Sequence, residues 1–212
     1  MREYPKIETV WKRDPSDKYR TLLEGLWATP ELEYLKDNVW VFTEKVDGTN
    51  IRVMWDGQQV RFGGRTNNAQ MPTFLLAKLQ DLFLNEKLAE CFGDAGGQPV
   101  CLYGEGYGAR IQKGGGNYIP NGVNFILFDV LIGNWWLRRE DIEKLAVSLG
   151  IDVVPIVDTG PLEKAIRMVR HGQESALREG EAEGLVMKPV VDLWGRDGKR
   201  IVAKVKHNDF RR

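Results

Sequence analysis

Lys45 is the residue whose position first suggests chemistry in this sequence. It lies in TEKVDGTN, two residues before the dipeptide Asp47-Gly48, between two segments with the composition of β-strands. Asp-Gly is typical of tight turns, so the lysine is either a surface residue beside a hairpin or a nucleophile held at a strand end. As a nucleophile it would have to lose a proton, because an ordinary lysine is protonated at neutral pH.

A second pair of lysines, Lys204 and Lys206, lies near the end of the chain in RIVAKVK. Because alternate residues of a strand face the same side, both ammonium groups should project from one face, opposite Ala203 and Val205. An exposed sheet surface and a phosphate-binding site both fit this pattern. Neighbouring cations would also favour the neutral form of a catalytic lysine.

The remaining candidates are charged residues beside glycines or at strand ends. Glu105 lies in YGEGYG and Glu183 in EGLVMKP, where glycine lets the backbone approach closely. Lys188 ends the second of these segments. Arg65 follows RFGG, where a guanidinium can bind phosphate or pair with a nearby acid. Each of these motifs is weak by itself.

Hydrophobic patterning predicts the elements that must position these residues. Strands are predicted at residues 39–43, 51–56, 59–62, 99–103, 124–132, 152–157, 185–188 and 200–206. Helices are predicted at 72–92, 138–149 and 161–179, and the glycine-rich segment 104–122 is predicted to be a loop. Many strands with three irregularly spaced helices indicate an α+β fold with mainly antiparallel sheets.

Composition narrows the class of protein. The chain has 212 residues, 42% of them hydrophobic, which is enough for a substantial core. Its 30 basic and 30 acidic residues balance, but the segment 195–212 has seven bases and two acids, a net charge of +5. The two cysteines lack the spacing of a metal site or a disulfide framework, so reduced thiols are expected. No segment has the length of a membrane span, and no membrane association is expected.

Taken in chain order, these motifs resemble those of the covalent nucleotidyltransferases, most closely the ATP-dependent RNA ligases of the RNA-ligase-2 type found in bacteriophages. The matching segments are EKVDGTN (44–50), RFGGR (61–65), LYGEGYG (102–108), NFILFDV (124–130), EGLVMKP (183–189) and RIVAKVK (200–206). They cover nearly the whole chain. The resemblance implies a nucleotidyltransferase fold, similar to that of ATP-grasp ligases, in which antiparallel sheets and flanking helices surround a nucleotide pocket.

The resemblance implies that Lys45 attacks the α-phosphorus of ATP, forms a lysyl-AMP phosphoramidate and releases pyrophosphate. Lys204 and Lys206 would bind the α-phosphate and offset its developing charge, and Asn50 would act when the nick is sealed. Glu183 would help to hold a divalent metal, Mg²⁺ or Mn²⁺, which bridges phosphate oxygens.

Further residues would form the nucleotide site by the same resemblance. Glu105 would contact the ribose, and Arg65 the ribose or the acceptor phosphate. Phe128 would stack on adenine, although strand alternation places Phe128 and Asp129 on opposite faces and leaves Phe125 as the other candidate aromatic. The other nucleotide-site residues implied are Glu44, Asp47, Gly48 and Lys188.

The predicted organisation is a single adenylyltransferase domain over residues 1–212, without an oligonucleotide-binding or other C-terminal domain. The predicted partner is nucleic acid, a nicked RNA or RNA/DNA duplex, in contact with the basic segment 195–212 and residues 1–12. We expect a cytoplasmic monomer, in the host cytoplasm if a phage encodes it; a partner protein that supplies an accessory domain is an open alternative. Two other functions also stay open: a nucleotidyltransferase with another acceptor, such as a DNA end or an RNA cap, and a non-catalytic nucleotide- or RNA-binding module.

Overall fold

A computed structural model describes residues 3–93 and 95–211 of the chain, which divides into two compact units. The first unit comprises Met1–Tyr4 and Asp47–Val154, and the second comprises Pro5–Val46 and Pro155–Arg212. Each unit therefore combines an N-terminal segment with a later part of the sequence.

Both units combine strands with helices. In chain order the strands are β1 (Glu8–Thr9), β2 (Trp11–Arg13), β3 (Leu22–Trp27), β4 (Trp40–Glu44), β5 (Thr49–Trp55), β6 (Val60–Gly63), β7 (Val100–Gly108), β8 (Val123–Ile132), β9 (Trp135–Trp136), β10 (Asp152–Val153), β11 (Ile156–Gly160), β12 (Gly184–Pro189) and β13 (Ala203–Lys206). The α-helices are α1 (Pro30–Leu35), α2 (Thr73–Leu82), α3 (Asn85–Phe92), α4 (Arg139–Leu149) and α5 (Leu162–Arg170).

The first unit contains a sheet with the strand order β10-β8-β7-β5-β6, and β9 pairs with β8. Its strand pairs are antiparallel except for β10 with β8. Alternation along β5 directs Ile51, Val53 and Trp55 into a core shared with α2, α3 and α4. The same alternation leaves Asn50 and Arg52 on the opposite face of the sheet.

A register shift between β7 and β8 changes which side chains share a face. Tyr103 pairs with Asp129, and the shift leaves Phe128 without a partner on β7, which is the geometry of a β-bulge. Both neighbouring side chains contact Tyr4: its hydroxyl donates to Asp129 at 2.7 Å, and its ring lies 5.1 Å from that of Phe128. The prediction that Phe128 and Asp129 lie on opposite faces is wrong, because the bulge interrupts the alternation. Phe125 is fully buried in the core.

The second unit contains a sheet with the order β1-β13-β12-β4-β11, and β2 pairs with β3 in a separate two-stranded sheet. The large sheet is antiparallel except for the β1–β13 pair. Helix α5 packs against β12 and β13, with Leu162, Ala165, Ile166 and Val169 on its buried side. These residues have the spacing of one helical face, and they join β4, β12 and β13 in one hydrophobic core. The α+β class with mainly antiparallel sheets is therefore confirmed.

Several predicted elements differ from those in the structure. The helix predicted at 72–92 is two helices, because Phe83 leaves helical geometry and buries its ring in the core. The strand predicted at 152–157 is divided at Pro155 between β10 and β11, which belong to different sheets. The helix predicted at 161–179 ends at Arg170. The first part of the predicted glycine-rich loop, up to Gly108, is strand β7.

Candidate active site

One face of the large sheet in the second unit carries all four of the predicted site lysines. Lys204 and Lys206 pair with alternate residues of β12, so they lie on the same side, and Val205 lies on the buried side as alternation predicts. Lys188 on β12 and Lys45 directly after β4 belong to the same side as the β13 lysines. We name this side of the sheet the lysine face.

A single carboxylate, that of Glu183, links two of these lysines. Its Oε2 atom lies 2.5 Å from Nζ of Lys45, and its Oε1 atom lies 2.6 Å from Nζ of Lys206. The backbone holds the three residues side by side. The amide of Lys45 donates to the carbonyl of Gly184 at 2.9 Å, and the amide of His207 donates to the carbonyl of Glu183 at 2.8 Å.

The cluster of Lys45, Glu183 and Lys206 carries a net positive charge when all three side chains are ionised, since one carboxylate is shared by two ammonium groups. The side chains of Lys45 and Glu183 are 22% and 15% exposed, so they are partly shielded from water yet reachable. Partly buried positive charge favours an anion such as phosphate. The arrangement therefore places an amine, which can act as a nucleophile once it has lost a proton, beside groups that can bind phosphate.

Gly184 lets β12 approach β13 closely at this point. A Cβ atom at position 184 would lie 2.1 Å from the carbonyl oxygen of Val205 and 2.8 Å from Cα of Lys206. Both are backbone atoms, so a side chain could be accommodated only by displacing the strand that carries Lys206.

We expect the Gly184→Ala substitution to lower the free energy of unfolding by about 1–3 kcal/mol, because the added methyl group overpacks the β12–β13 contact. Urea denaturation followed by tryptophan fluorescence measures this. Gly116→Ala is the matched control, since a Cβ at Gly116 meets no atom within 4 Å. Equal stabilities of the two variants would contradict the packing role of Gly184.

Glu44 precedes the candidate nucleophile and is 2% exposed, on the buried side of β4. Its carboxylate accepts hydrogen bonds from the Ser175 hydroxyl at 2.5 Å and from the Ala176 amide at 2.7 Å. Ser175 belongs to the loop that leads from α5 to Glu183. Glu44 thus ties this loop to the strand that ends beside Lys45. The assignment of Glu44 to the nucleotide site stays a prediction.

Ser175 is a supporting residue that the sequence did not reveal. No local pattern relates a serine in a loop to a glutamate 131 positions away in the chain. We expect Ser175→Ala to destabilise the protein by about 1–3 kcal/mol, because it leaves a buried carboxylate oxygen without this donor. Thermal unfolding compares it with Ser148→Ala, which removes an exposed hydroxyl bonded only to its own helix. The idea fails if both substitutions have the same small effect.

In the first unit, Asn50 on β5 lies opposite Glu105 on β7. The Oδ1 atom of Asn50 is buried and has no hydrogen-bond partner among the residues that the structure describes. Gly48 approaches the same strand so closely that a Cβ there would lie 2.7 Å from Cγ of Glu105. A buried acceptor of this kind is costly unless a donor is supplied. A ligand hydroxyl beside Glu105 would supply one.

The other predicted residues of the first unit have different surroundings. The amide of Asp47 donates to the Tyr118 hydroxyl at 3.3 Å. Arg65 is exposed in the loop after β6, and Phe128 is half-buried against Tyr4. The roles assigned to Asp47, Arg65 and Phe128 in binding the nucleotide or the acceptor stay predictions.

The basic segment near the C-terminus includes several cations paired with acidic side chains. Lys199 lies 2.7 Å from Asp197, and its hydrogen bond to the carboxylate lowers the pKa of Asp197. Arg211 pairs with Glu181. The predicted contact of residues 195–212 and 1–12 with nucleic acid stays a prediction. Part of that prediction lies outside the described residues, at Met1, Arg2 and Arg212.

Glu183 is the residue predicted to hold a divalent metal, and this assignment stays a prediction. Within residues 3–93 and 95–211, no group of three or more acidic, histidine or cysteine side chains is arranged to hold a metal. Mg²⁺ is commonly bound by one or two carboxylates together with substrate phosphates and retained waters. The donor set at Glu183 fits a metal bound in this way, jointly with a nucleotide.

Two further features concern membrane-spanning helices and the cysteines. No helix in the described part of the chain is both long and apolar enough to cross a membrane. Cys91 and Cys101 are free thiols, and burial raises the pKa of Cys101 to about 11.

Solved structures of an RNA ligase from Naegleria gruberi have the same fold. The ligase with PPi is 22% identical with a TM-score of 0.65, a mutant with AMP and Mn is 21% identical with a TM-score of 0.64, and a mutant with ATP and Mn is 21% identical with a TM-score of 0.65. Each comparison covers 98% of this chain but 58% of the Naegleria chain. The two chains thus share the nucleotidyltransferase fold of RNA ligases, and this chain spans less than two thirds of the length of these relatives.

The sequence comparison identifies the family. A profile described as RNA ligase matches residues 38–206, which include the lysine face, Asn50 and Glu105. A search of curated protein sequences found no significant match. The chain belongs to the RNA ligase family.

Proposed function

We propose that this chain is an ATP-dependent RNA ligase that joins a 5′-phosphate end to a 3′-hydroxyl end through a lysyl-AMP intermediate at Lys45. The observation that carries the proposal is the contact of Lys45 and Lys206 with the same carboxylate, that of Glu183. Membership of the RNA ligase family supports it. The structures of the Naegleria ligase with AMP and Mn and with ATP and Mn also support it.

In the first step, Nζ of Lys45 attacks the α-phosphorus of ATP. A nitrogen–phosphorus bond forms, the bond to the β-phosphate oxygen breaks, pyrophosphate leaves and the amine loses a proton. Lys206, with Lys204 on the same face, would stabilise the negative charge that develops on the α-phosphate oxygens. Lys188 lies further along this face and would contact another phosphate.

The two later steps transfer and then release AMP. An oxygen of the RNA 5′-phosphate attacks the phosphorus of the lysyl-AMP, so a phosphoanhydride forms and Lys45 is regenerated. The 3′-hydroxyl then attacks the 5′-phosphorus, AMP leaves, and a phosphodiester remains. Asn50, whose Oδ1 atom is buried without a partner among the described residues, would serve this last step.

Binding of the nucleoside is assigned to Glu105, Asn50 and Phe128. Glu105 would contact the ribose hydroxyls, and the nearby Oδ1 atom of Asn50 could accept a hydrogen bond from one of them. Phe128, with its partly exposed ring, would stack on adenine. Asp47 and Gly48 would fix the backbone beside Glu105, and Arg65 would contact the ribose or the acceptor phosphate.

Glu183 would hold the divalent metal, Mg²⁺ or Mn²⁺, together with phosphate oxygens. When bound, the metal supplies positive charge that offsets the charge of the phosphates. The protein's own part is to hold Glu183 between Lys45 and Lys206, so that the nucleophile lies beside the metal-binding carboxylate.

The proposed substrate is a nicked RNA or an RNA/DNA duplex, bound by a cytoplasmic monomer that acts as a single adenylyltransferase domain. An accessory domain supplied by a partner protein would increase affinity for the duplex. Binding should weaken steeply with added salt if contacts with backbone phosphates dominate.

The test is sealing of nicked duplexes that carry RNA or DNA on each side of the break. With ATP and Mg²⁺, the strand with the labelled 5′-phosphate should be joined into a longer labelled strand when the 3′-hydroxyl strand is RNA. Sealing only at DNA ends would contradict the proposed RNA substrate. Self-adenylation without any sealing would favour a different acceptor, and ATP binding without either reaction would indicate a binding module.

A further inference from the structure

Arg52 is a buried arginine on β5 to which the proposed reaction assigns no role. Only 1% of it is exposed, and it lies on the face of the sheet opposite Val53 and the hydrophobic core of the first unit. Burying a guanidinium is costly unless its partners compensate. Its contacts therefore indicate what the burial achieves.

The guanidinium of Arg52 holds the loop that follows β6 at two points. Its Nε atom donates to the carbonyl oxygen of Gly64 at 2.8 Å, and its Nη2 atom donates to Oδ1 of Asn67 at 3.0 Å. These two acceptors lie on either side of Arg65 in the sequence. One rigid, planar group thus fixes both ends of the short segment 64–67.

Further hydrogen bonds hold the same segment. The amide of Asn67 donates to Oε1 of Glu3 at 3.2 Å, and the amide of Ala69 donates to the carbonyl of Thr66 at 3.2 Å. Arg65 itself is exposed. The loop therefore has a held backbone and presents an arginine to solvent.

The two acceptors of Arg52 do not neutralise its positive charge. Both are uncharged oxygen atoms, and its Nη1 atom has no hydrogen-bond partner among the described residues. A buried cation beneath the loop adds to the positive potential at Arg65, because it is screened less than a surface charge. A positive potential at the exposed guanidinium of Arg65 favours a phosphate over a neutral ligand.

We propose that Arg52 is a positioning residue that presents Arg65 to a phosphate of the substrate. The proposal rests on the proposed ligase function and adds a residue outside the predicted site. Arg52 acts through the carbonyl of Gly64 and the side chain of Asn67, which set the direction of the Arg65 side chain. Lysine cannot replace it, since one ammonium group does not reproduce the planar fork that binds both acceptors.

The test compares Arg65→Ala with Arg52→Met and Asn67→Ala in three separate assays: self-adenylation, transfer of AMP to a 5′-phosphate, and sealing of a pre-adenylated nick. Arg52→Met and Asn67→Ala should slow the same step that Arg65→Ala slows, by about tenfold to a hundredfold, because a small misplacement of a binding group has effects of this size. Arg52→Lys should resemble Arg52→Met. Asn68→Ala, a change at the neighbouring exposed residue, is the control and should be unaffected in all three assays.

A double-substitution experiment separates positioning from a general structural role. If Arg52 acts through Arg65, adding Arg52→Met to Arg65→Ala should slow the affected step by less than about threefold, since the Arg65 side chain that Arg52 positions is already absent. If the loss of rate in the double variant equalled the product of the losses in the two single variants, the proposal would be overturned. The proposal would also be overturned if Arg52→Met lowered the melting temperature without slowing any step. The same holds if Arg65→Ala slowed none of the three steps. If Arg52→Met does not fold, the same cycle is run with Asn67→Ala, whose side chain is exposed.

Failure of the proposed function gives a different result. In that case the unsubstituted protein would neither label itself from ATP nor seal a nick. An active unsubstituted protein whose Arg52 and Arg65 variants affect different steps would refute only the positioning role.

Discussion

Replacing Lys45 with alanine should abolish transfer of label from α-phosphate-labelled ATP to the protein, by more than about a thousandfold. The substitution removes the atom that would form the bond to phosphorus. The other lysines on the same face are not beside Asp47-Gly48 in the sequence, so we do not expect them to replace Lys45. The measurement is the labelled protein band after incubation with ATP and Mg²⁺. Lys45→Arg should be equally inactive, because a guanidinium keeps the charge beside Glu183 but is not a nucleophile.

Lys199→Ala is the matched control for Lys45→Ala. Lys199 is an exposed lysine that pairs with Asp197 outside the cluster, so its loss should leave labelling unchanged. Sealing of a pre-adenylated nick should survive Lys45→Ala better than self-adenylation, since that step does not need the nucleophile. Undiminished labelling of the Lys45→Ala protein would refute the assignment of the nucleophile.

Replacing Glu183 with glutamine should reduce self-adenylation by about a hundredfold to a thousandfold. The amide keeps the size of the side chain but removes the negative charge that Lys45 and Lys206 share. The two ammonium groups would then repel each other without a carboxylate between them, and the group predicted to hold the metal would be lost. The rate of protein labelling at saturating ATP measures the effect.

The control for this substitution is Glu179→Gln, in the same loop but exposed. It should label at the normal rate, and both variants should unfold at similar temperatures. If Glu183→Gln labelled as fast as the unsubstituted protein, the carboxylate would have no part in the reaction, and its contacts with Lys45 and Lys206 would be only structural.

The lysine face could be predicted from the sequence because its cause is local. A strand has a period of two residues, so Lys204 and Lys206 had to share a side once Val205 was taken as buried. The motif order then connected Lys45 and Glu183 with these lysines, although they are far apart in the chain. The structure brings Lys45, Glu183 and Lys206 together within one unit.

Other features could not be predicted because their causes lie in distant parts of the chain. The bulge at Phe128 depends on how β8 aligns with β7, and alternation within β8 alone gives the wrong faces for Phe128 and Asp129. The helix predicted at 72–92 divides where Phe83 enters the core, although its apolar spacing continues. The β-strand at Gly104–Gly108 resembles a loop by composition, because glycine is usually unfavourable in strands.

The supporting residues were hidden for a similar reason. Arg52 is a charged residue within an apolar strand, which suggests an exposed position, yet it is buried beneath the loop that carries Arg65. The partner of Glu44 lies in a loop after α5, where the sequence suggested a helix. In both cases, local periodicity does not predict the burial of a polar residue, because its hydrogen-bond partners lie elsewhere in the sequence.

The hydrogen bonds from Ser175 and Ala176 to Glu44 have a consequence for how this family can diverge. A buried carboxylate without its donors is unfavourable, whereas loss of both an acceptor and its donor can be nearly neutral. Positions 44 and 175 should therefore change together. Related chains that lack an acidic residue at the first position are expected to lack a hydroxyl at the second, and that correlation would mark which family members share this form of support for the loop that ends at Glu183.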